Sequence, residues 1–195
     1  MTWKLPLNQI GNGCTFIVGP YQESPKFKAT NLTLSQHPWL QDILTDLDCT
    51  IDGNGANFAL AVDVEKQSAT YRVTAHLRMV PRLECVRSLT LFRAAIETEN
   101  EALYVLTAPK TGSSGEHELS ESEMESYEHD GQTLVLSEFI TDVVFTSLPD
   151  FPLCQADCRG LCHECGCNLN ETRECGKSKA VNEGDFACPH IHEFQ

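Results

Sequence analysis

Positive charge is scarce in this chain. Lys and Arg number 14 against 28 Asp and Glu, a formal net charge of −14 over 195 residues. A phosphate-binding surface normally carries an excess of Lys and Arg. The chain as a whole therefore repels nucleic acid and anionic membrane, and an RNA contact would need a local basic patch or an intermediary protein. Long apolar runs are also missing. No stretch approaches the ~20 apolar residues that span a bilayer. The opening MTWKLPLNQIGNG has neither the apolar core of a secretory signal nor the Arg and Ser of a transit peptide. Together these absences predict a soluble, cytoplasmic protein with no membrane association. No glycine-rich phosphate loop and no nucleophile–base pair stands out. That argues against an enzyme and against a small-molecule substrate.

What is present is enough oil for a core, with 41% hydrophobic residues, in a length that suits one domain or one domain with a small appendage. LTLSQHPWLQDILTDL, residues 32–47, reads as an amphipathic helix. Ser35 is the expected N-cap, Pro38 is tolerable in the first turn, and Leu40, Ile43, Leu44 and Leu47 fall on one stripe. Trp39 reads as a core anchor of that helix. DGNG, residues 52–55, marks a turn, after which the period changes to two. Phe58, Leu60, Val62 and Val64 alternate with smaller or polar residues. Tyr71, Val73, Ala75, Leu77 and Met79 alternate with Arg72, Thr74, His76 and Arg78. Both runs predict half-buried antiparallel strands, with further strands near 89–96 and 103–107. Residues 110–130, rich in Ser, Gly and Glu, predict a mobile acidic loop. Ser137 is the expected cap of a second helix that buries Ile140, Val143, Val144 and Leu148, and Pro149 and Pro152 end it.

The predicted fold class is α+β. An antiparallel β-sheet of about four strands in meander order, open or curled into a barrel, is flanked by two main helices and followed by a zinc-knuckle-like cysteine segment. The expected division is an α+β domain over 1–149 and a cysteine-rich, metal-binding segment over 150–195.

Chemistry concentrates in LCQADCRGLCHECGCNLN, residues 153–170, where five cysteines fall close together. Cytoplasmic thiols stay reduced, so such a cluster predicts metal binding or redox work rather than disulfides. Zinc favours four soft ligands in a tetrahedron with Zn–S near ~2.3 Å, so two sulfurs of one site lie roughly 3.8 Å apart. Cys162-His-Glu-Cys165 followed by Gly166 is a turn that can bring two sulfurs to that distance, and Gly160 offers similar freedom after Cys158. The predicted ligands are Cys154, Cys158, Cys162 and Cys165, with Cys175 able to replace either of the first two. Zn(2+) is the expected ion, an Fe–S cluster the alternative, and free thiols in a floppy tail the competing reading. Metal binding would also explain how a segment with few core residues holds a shape. A different use of the same cluster is a thiol-based redox or metal sensor. Cys14, Cys49 and Cys85 stand alone and read as small buried hydrophobes. Cys188, His190 and His192 near the end could ligate metal, although a frayed tail with adventitious affinity is the favoured reading.

Residues 66–93 are locally basic, and alternation puts Arg72, His76 and Arg78 on one strand face. With Arg82 and Arg87 they are the candidate contact for ribosomal RNA or a protein partner; a merely solvated sheet face is the competing reading.

Residues 148–170 resemble the C-terminal signature of the YceD-like family, also called the large ribosomal RNA subunit accumulation protein family. The matching positions are Pro152-Leu153-Cys154, Asp157-Cys158-Arg159-Gly160-Leu161-Cys162, Cys165-Gly166 and Asn168-Leu169-Asn170. A mid-chain Cys-x-Arg-Cys-Leu element of that family falls on Cys85-Val86-Arg87-Ser88-Leu89, with Ser88 where a second cysteine is usual. His163 replaces a usual proline, and Lys177 stands where another cysteine often follows Cys175. The resemblance implies a non-enzymatic accessory role in ribosome biogenesis, with a ribosomal RNA precursor or ribosome-assembly proteins as partners.

Overall fold

The computed structural model describes residues 2–21, 23–51, 55–107, 126–163 and 166–171. The chain forms two compact units. The first comprises Met1–Pro81 with Ala95–Leu148, and the second Arg82–Ala94 with Pro149–Gln195.

In the first unit, the two alternating runs become a long antiparallel pair, β4 (Phe58–Gln67) and β5 (Thr70–Met79). Period-two patterning fixes which face is buried. Tyr71, Val73, Ala75, Leu77 and Met79 are buried, while Arg72, Thr74, His76 and Arg78 point the other way. Four more strands extend the pair. These are β2 (Gly13–Val18), β3 (Ala29–Asn31), β8 (Ile96–Leu106) and β9 (Ser126–His129), in the order β3-β2-β4-β5-β8-β9.

Three expectations are corrected here. The sheet is mixed rather than wholly antiparallel, because β3 runs parallel to β2 and β9 parallel to β8. It is not a closed barrel: β3 and β9, of three and four residues, are its two edges and do not pair with each other. And part of the expected acidic loop is strand. Residues 110–125 lie outside the described residues, but Ser126–His129 forms β9. Aromatic packing explains β9. Tyr127 stacks on Tyr104 with centroids 5.2 Å apart, and His129 meets Tyr71 edge-on at 5.4 Å.

Two helices cover the core, as the stripes predict. Helix α1 (Pro38–Asp46) buries Leu40, Ile43 and Leu44. It starts at Pro38 and not after Ser35, which belongs to a separate 3-10 turn, Leu34–Gln36. Proline's fixed φ and missing N–H suit the first helical position. Helix α2 (Leu136–Thr146) buries Leu136, Phe139, Ile140, Val143 and Val144. Its N-cap position is Val135, so Ser137 is a buried residue of the first turn and not the cap. A short ladder of β1 (Lys4–Pro6) with β10 (Thr133–Val135) completes the unit.

Among the described residues of the second unit, the buried apolar side chains are the cysteines Cys85, Cys158 and Cys162, and the regular structure is a hairpin, β6 (Arg82–Glu84) with β7 (Leu91–Arg93), joined by the loop 85–90. The segment expected as one strand over 89–96 is thus divided between β7 and the start of β8. The described residues of the C-terminal part, 149–163 and 166–171, are loop and turn held by side chains, with one isolated bridge between Leu161 and Asn168.

Candidate metal centre

The site lies wholly in the second unit and begins with the hairpin loop. Cys85 N–H donates to Thr90 O at 3.0 Å, and Leu89 N–H donates to Cys85 O at 2.9 Å. Closing so short a loop forces Leu89 to φ +55°, and it turns Cys85 and Ser88 inward, both buried. The C-terminal loop is fastened to it by Val86 N–H donating to Pro152 O at 3.0 Å and by Arg87 Nη1 donating to Cys158 O at 3.0 Å.

These fastenings gather three sulfurs. Cys158 Sγ is 3.6 Å from Cys85 Sγ and 3.6 Å from Cys154 Sγ. All three lie within 4.8 Å of one another. The spacing is far beyond a disulfide bond of about 2.05 Å and close to the edge of a tetrahedral thiolate site, about 3.8 Å. The three cysteines can therefore hold a metal ion.

The surroundings supply what thiolates need. Gly160 has φ +76°, and a Cβ there would come 3.0 Å from Arg87 O, so both its backbone angle and its close approach require glycine. That conformation aims the Gly160 N–H at Cys158 Sγ. Asn170 Nδ2 donates to the same sulfur at 3.3 Å, while its Oδ1 accepts from Arg159 N–H and from Gln155 Nε2, each at 2.9 Å. Asn168 holds Asn170 through Oδ1, and its Nδ2 donates to Thr90 Oγ1 in the hairpin loop at 3.2 Å. Leu169 N–H donates to Gly160 O at 3.0 Å. Residues 168–170 thus brace the sulfurs from outside.

Burial raises the Cys85 thiol, but the Ser88 hydroxyl and the N–H groups of Cys154, Ser88 and Arg87 more than offset it, and the net shift is downward. Cys158 follows the same pattern. Burial pushes it up, the Asn170 amide, the Ser88 hydroxyl and the Gly160 N–H pull it down, and the pull prevails. Cys154 is the one of the three held above its ordinary value: a hydrogen bond from Ser88 lowers it, but burial and the neighbouring thiols outweigh that bond. Two thiols lowered by hydrogen-bond donors, beside a third sulfur, are the surroundings of a turn that can hold a metal.

Of the ligands expected from sequence, Cys154 and Cys158 meet here. Cys162 is buried in the next turn, where Gly166 N–H donates to Cys162 O at 2.8 Å with Gly166 at φ +71°. It is not among the grouped sulfurs. Cys165, Cys175, Cys188, His190 and His192 lie outside the described residues. Cys85 is buried as expected but is not isolated, because its partners lie 73 residues on. The Cys85-Val86-Arg87-Ser88-Leu89 element was the signal that could have placed it. Cys49 is buried with its thiol donating to Leu47 O at 3.7 Å, and burial, with Asp63 adding to it, pushes Cys14 up to about 11.

The candidate basic face is matched by acids. Arg72 pairs with Glu101 at 3.4 Å, and Arg78 with Glu97 at 2.9 Å and Glu23 at 3.3 Å. His76 lies between Asp63 at 3.6 Å and Glu99 at 3.5 Å. Arg82 stands opposite Arg93 in the β6–β7 ladder, and Arg87 holds the Cys158 carbonyl. Among the described residues, no helix is long and apolar enough to cross a membrane.

Comparison with known proteins adds the family. Residues 73–187, which contain most of β5, the hairpin loop and the cysteine run 153–170, match the family described as large ribosomal RNA subunit accumulation protein YceD. An uncharacterized protein of Mycobacterium leprae is 31% identical over 115 residues, which is 59% of this chain and 50% of that protein. The chain thus aligns with about half the length of that curated relative. No solved structure matches. With more than half of its length in the match, and the mid-chain and C-terminal cysteines of that match converging on one point, the chain belongs to the YceD family.

Proposed function

We propose that this protein is a non-enzymatic accessory factor in the accumulation of large-subunit ribosomal RNA, acting in ribosome biogenesis in the cytoplasm, and that Zn(2+) at the sulfur cluster gives its second unit a fixed shape. The observation that carries the proposal is the family match across both halves of the sulfur cluster. Zinc fits the donor set because soft thiolates at tetrahedral spacing with N–H donors suit a closed structural site. Cys162, Cys165 and Cys175 remain candidate further ligands within this reading.

The contact surface follows from charge. Arg72, His76 and Arg78 each stand beside carboxylates, and the chain carries −14 overall. A ribosome-assembly protein with basic patches suits such a surface better than bare RNA, whose phosphates it would repel. Arg82 and Arg87, on the small second unit, are the positions where a ribosomal RNA precursor would be met.

The test is affinity purification from growing cells, with sequencing of bound RNA and identification of bound proteins. We expect assembly proteins of the large subunit, with ribosomal RNA precursors recovered through them. Recovery of neither would overturn the proposal. Arg72→Glu with Arg78→Glu should weaken that recovery, and unchanged recovery would remove this face from the contact.

A thiol-sensor reading draws on the lowered Cys85 and Cys158 thiols. Their burial works against it, because sensor cysteines need access to oxidant. Stoichiometric zinc in reduced protein separates the two readings from reversible oxidation at physiological redox poise.

A further inference from the structure

Three sulfurs do not close a tetrahedron. A buried hydroxyl lies beside these three. Ser88 is 5% exposed, and its Oγ is 3.5 Å from Cys154 Sγ. A hydroxyl has one proton to donate and two lone pairs to accept with, so a hydrogen bond accounts for this contact; the same separation also fits a corner of the polyhedron that the sulfurs begin. With metal–sulfur near ~2.3 Å and metal–oxygen near ~2.0 Å, the sulfur-to-oxygen edge of a tetrahedron is about 3.5 Å, which is the Ser88–Cys154 separation.

Among the described residues no other His, Cys, Asp or Glu joins the group. We infer that Ser88 Oγ is the fourth ligand, making this a three-thiolate, one-oxygen metal site of Cys85, Cys154, Cys158 and Ser88. The inference rests on the metal reading of the cluster given above.

The oxygen corner has consequences. Thiolate is the softer and stronger ligand for zinc, and an alcohol is a weak one. With a neutral hydroxyl, three thiolates and a divalent ion leave one negative charge on the site, where a fourth thiolate would leave two. The ion is held less tightly and exchanges more readily than in a four-sulfur site.

Co(2+) is the probe. Full-length protein, reduced and freed of metal, is loaded with Co(2+), and the sulfur-to-cobalt charge-transfer band is measured per bound ion. Its intensity scales with the number of thiolates. The expected wild-type value is that of three. Ser88→Cys should raise the band by about a third and tighten retention against a chelator by at least about tenfold. Ser88→Ala should leave the charge-transfer band unchanged, shift the ligand-field bands as water replaces the hydroxyl, and loosen retention by about tenfold.

A wild-type band of four thiolates that falls by a quarter in Cys162→Ser, Cys165→Ser or Cys175→Ser would overturn the Ser88 assignment while leaving a metal site in place. A band that Ser88→Ala and Ser88→Cys both leave untouched, with retention unchanged, would also overturn it. Failure of the underlying metal reading looks different: no band forms in wild type, or Cys85→Ser, Cys154→Ser and Cys158→Ser each leave it intact. Wild-type and Ser88→Ala measurements suffice if Ser88→Cys does not fold.

Discussion

Gly160→Ala isolates the backbone's part in the sulfur cluster. At φ +76° an L-residue pays about 1–2 kcal/mol for the left-handed conformation. The added Cβ would also sit 3.0 Å from Arg87 O. That oxygen is backbone in a loop pinned by the Val86–Pro152 and Cys85–Thr90 hydrogen bonds, so it cannot swing away as a side-chain tip would. Relieving the approach means moving Arg87 or Gly160 by a few tenths of an ångström, and Gly160 carries the N–H aimed at Cys158 Sγ. We expect a total cost of about 2–3 kcal/mol, borne by the second unit. At about 1.4 kcal/mol per tenfold, metal retention should fall about 30–100-fold. Competition with a chromophoric chelator reads the affinity, and hydrogen exchange reads the loosening of residues 149–171. Gly11→Ala is the control. It has φ +58° but nothing within 4 Å of its Cβ, and it lies in the first unit. It should cost about 1 kcal/mol of melting stability and leave metal retention alone. Equal retention in Gly160→Ala and wild type would refute the claim that this turn shapes the site.

Asn170→Ala removes the amide that donates to Cys158 Sγ and braces Arg159 and Gln155. Metal affinity should drop about 10–100-fold by competition titration, with the sheet's circular dichroism unchanged. Leu77→Ala, in the middle of the buried face of β5, should cost about 2–5 kcal/mol of unfolding free energy in urea melts while leaving the bound-metal content of folded protein intact. His37 and His129 are both held below the ordinary imidazole value by burial, the neighbouring Asp130 only partly opposing this at His129. A depressed folded value means the unfolded chain takes up protons first. The stability these residues lend is thus full above about pH 6.5 and is lost as pH falls through the depressed folded values. Thermal midpoints measured downward from pH 7.5 should decline there, and less steeply in His37→Phe.

Much of the first unit was legible because its signals are local. The alternation of Tyr71 through Met79 needs only a buried face and a polar one, and the Leu40–Ile43–Leu44 stripe needs only a helix against that face. What was not legible were features settled by partners distant in sequence. Ser35 has the chemistry of a cap, but Pro38 suits a helix start better. Ser126–His129 reads as the end of an acidic run until Tyr104 and Tyr71 are beside it. The open ends of the sheet follow from parallel edge strands that no alternation pattern announces. At the sulfur cluster, spacing within 154–165 pointed to two of the three thiols that gather where an ion could be held. It could not find Cys85, because residues 73 apart leave no periodic trace. Nor could the basic run at 66–93 reveal that Glu97, Glu99 and Glu101 would line up across β8 from His76 and its neighbours.

That separation gives the cluster a second consequence. An ion held by Cys85 and Cys158 closes a loop of 73 residues. The enclosed chain contains β8, β9, β10 and α2, four of the ten strands and α-helices described in the first unit. A cross-link of that span removes conformational entropy from the unfolded chain equivalent to about 4 kcal/mol, on the chain-entropy argument used for disulfides. The stabilisation needs no contact with the enclosed elements, because it acts on the state in which they are not formed. A chain with little oil in its second unit therefore does not need that unit to be stable alone for the ion to matter. Such an ion would shape the loops by coordination and steady the sheet by topology. A site that holds its metal through a weak oxygen corner would make both effects reversible at once.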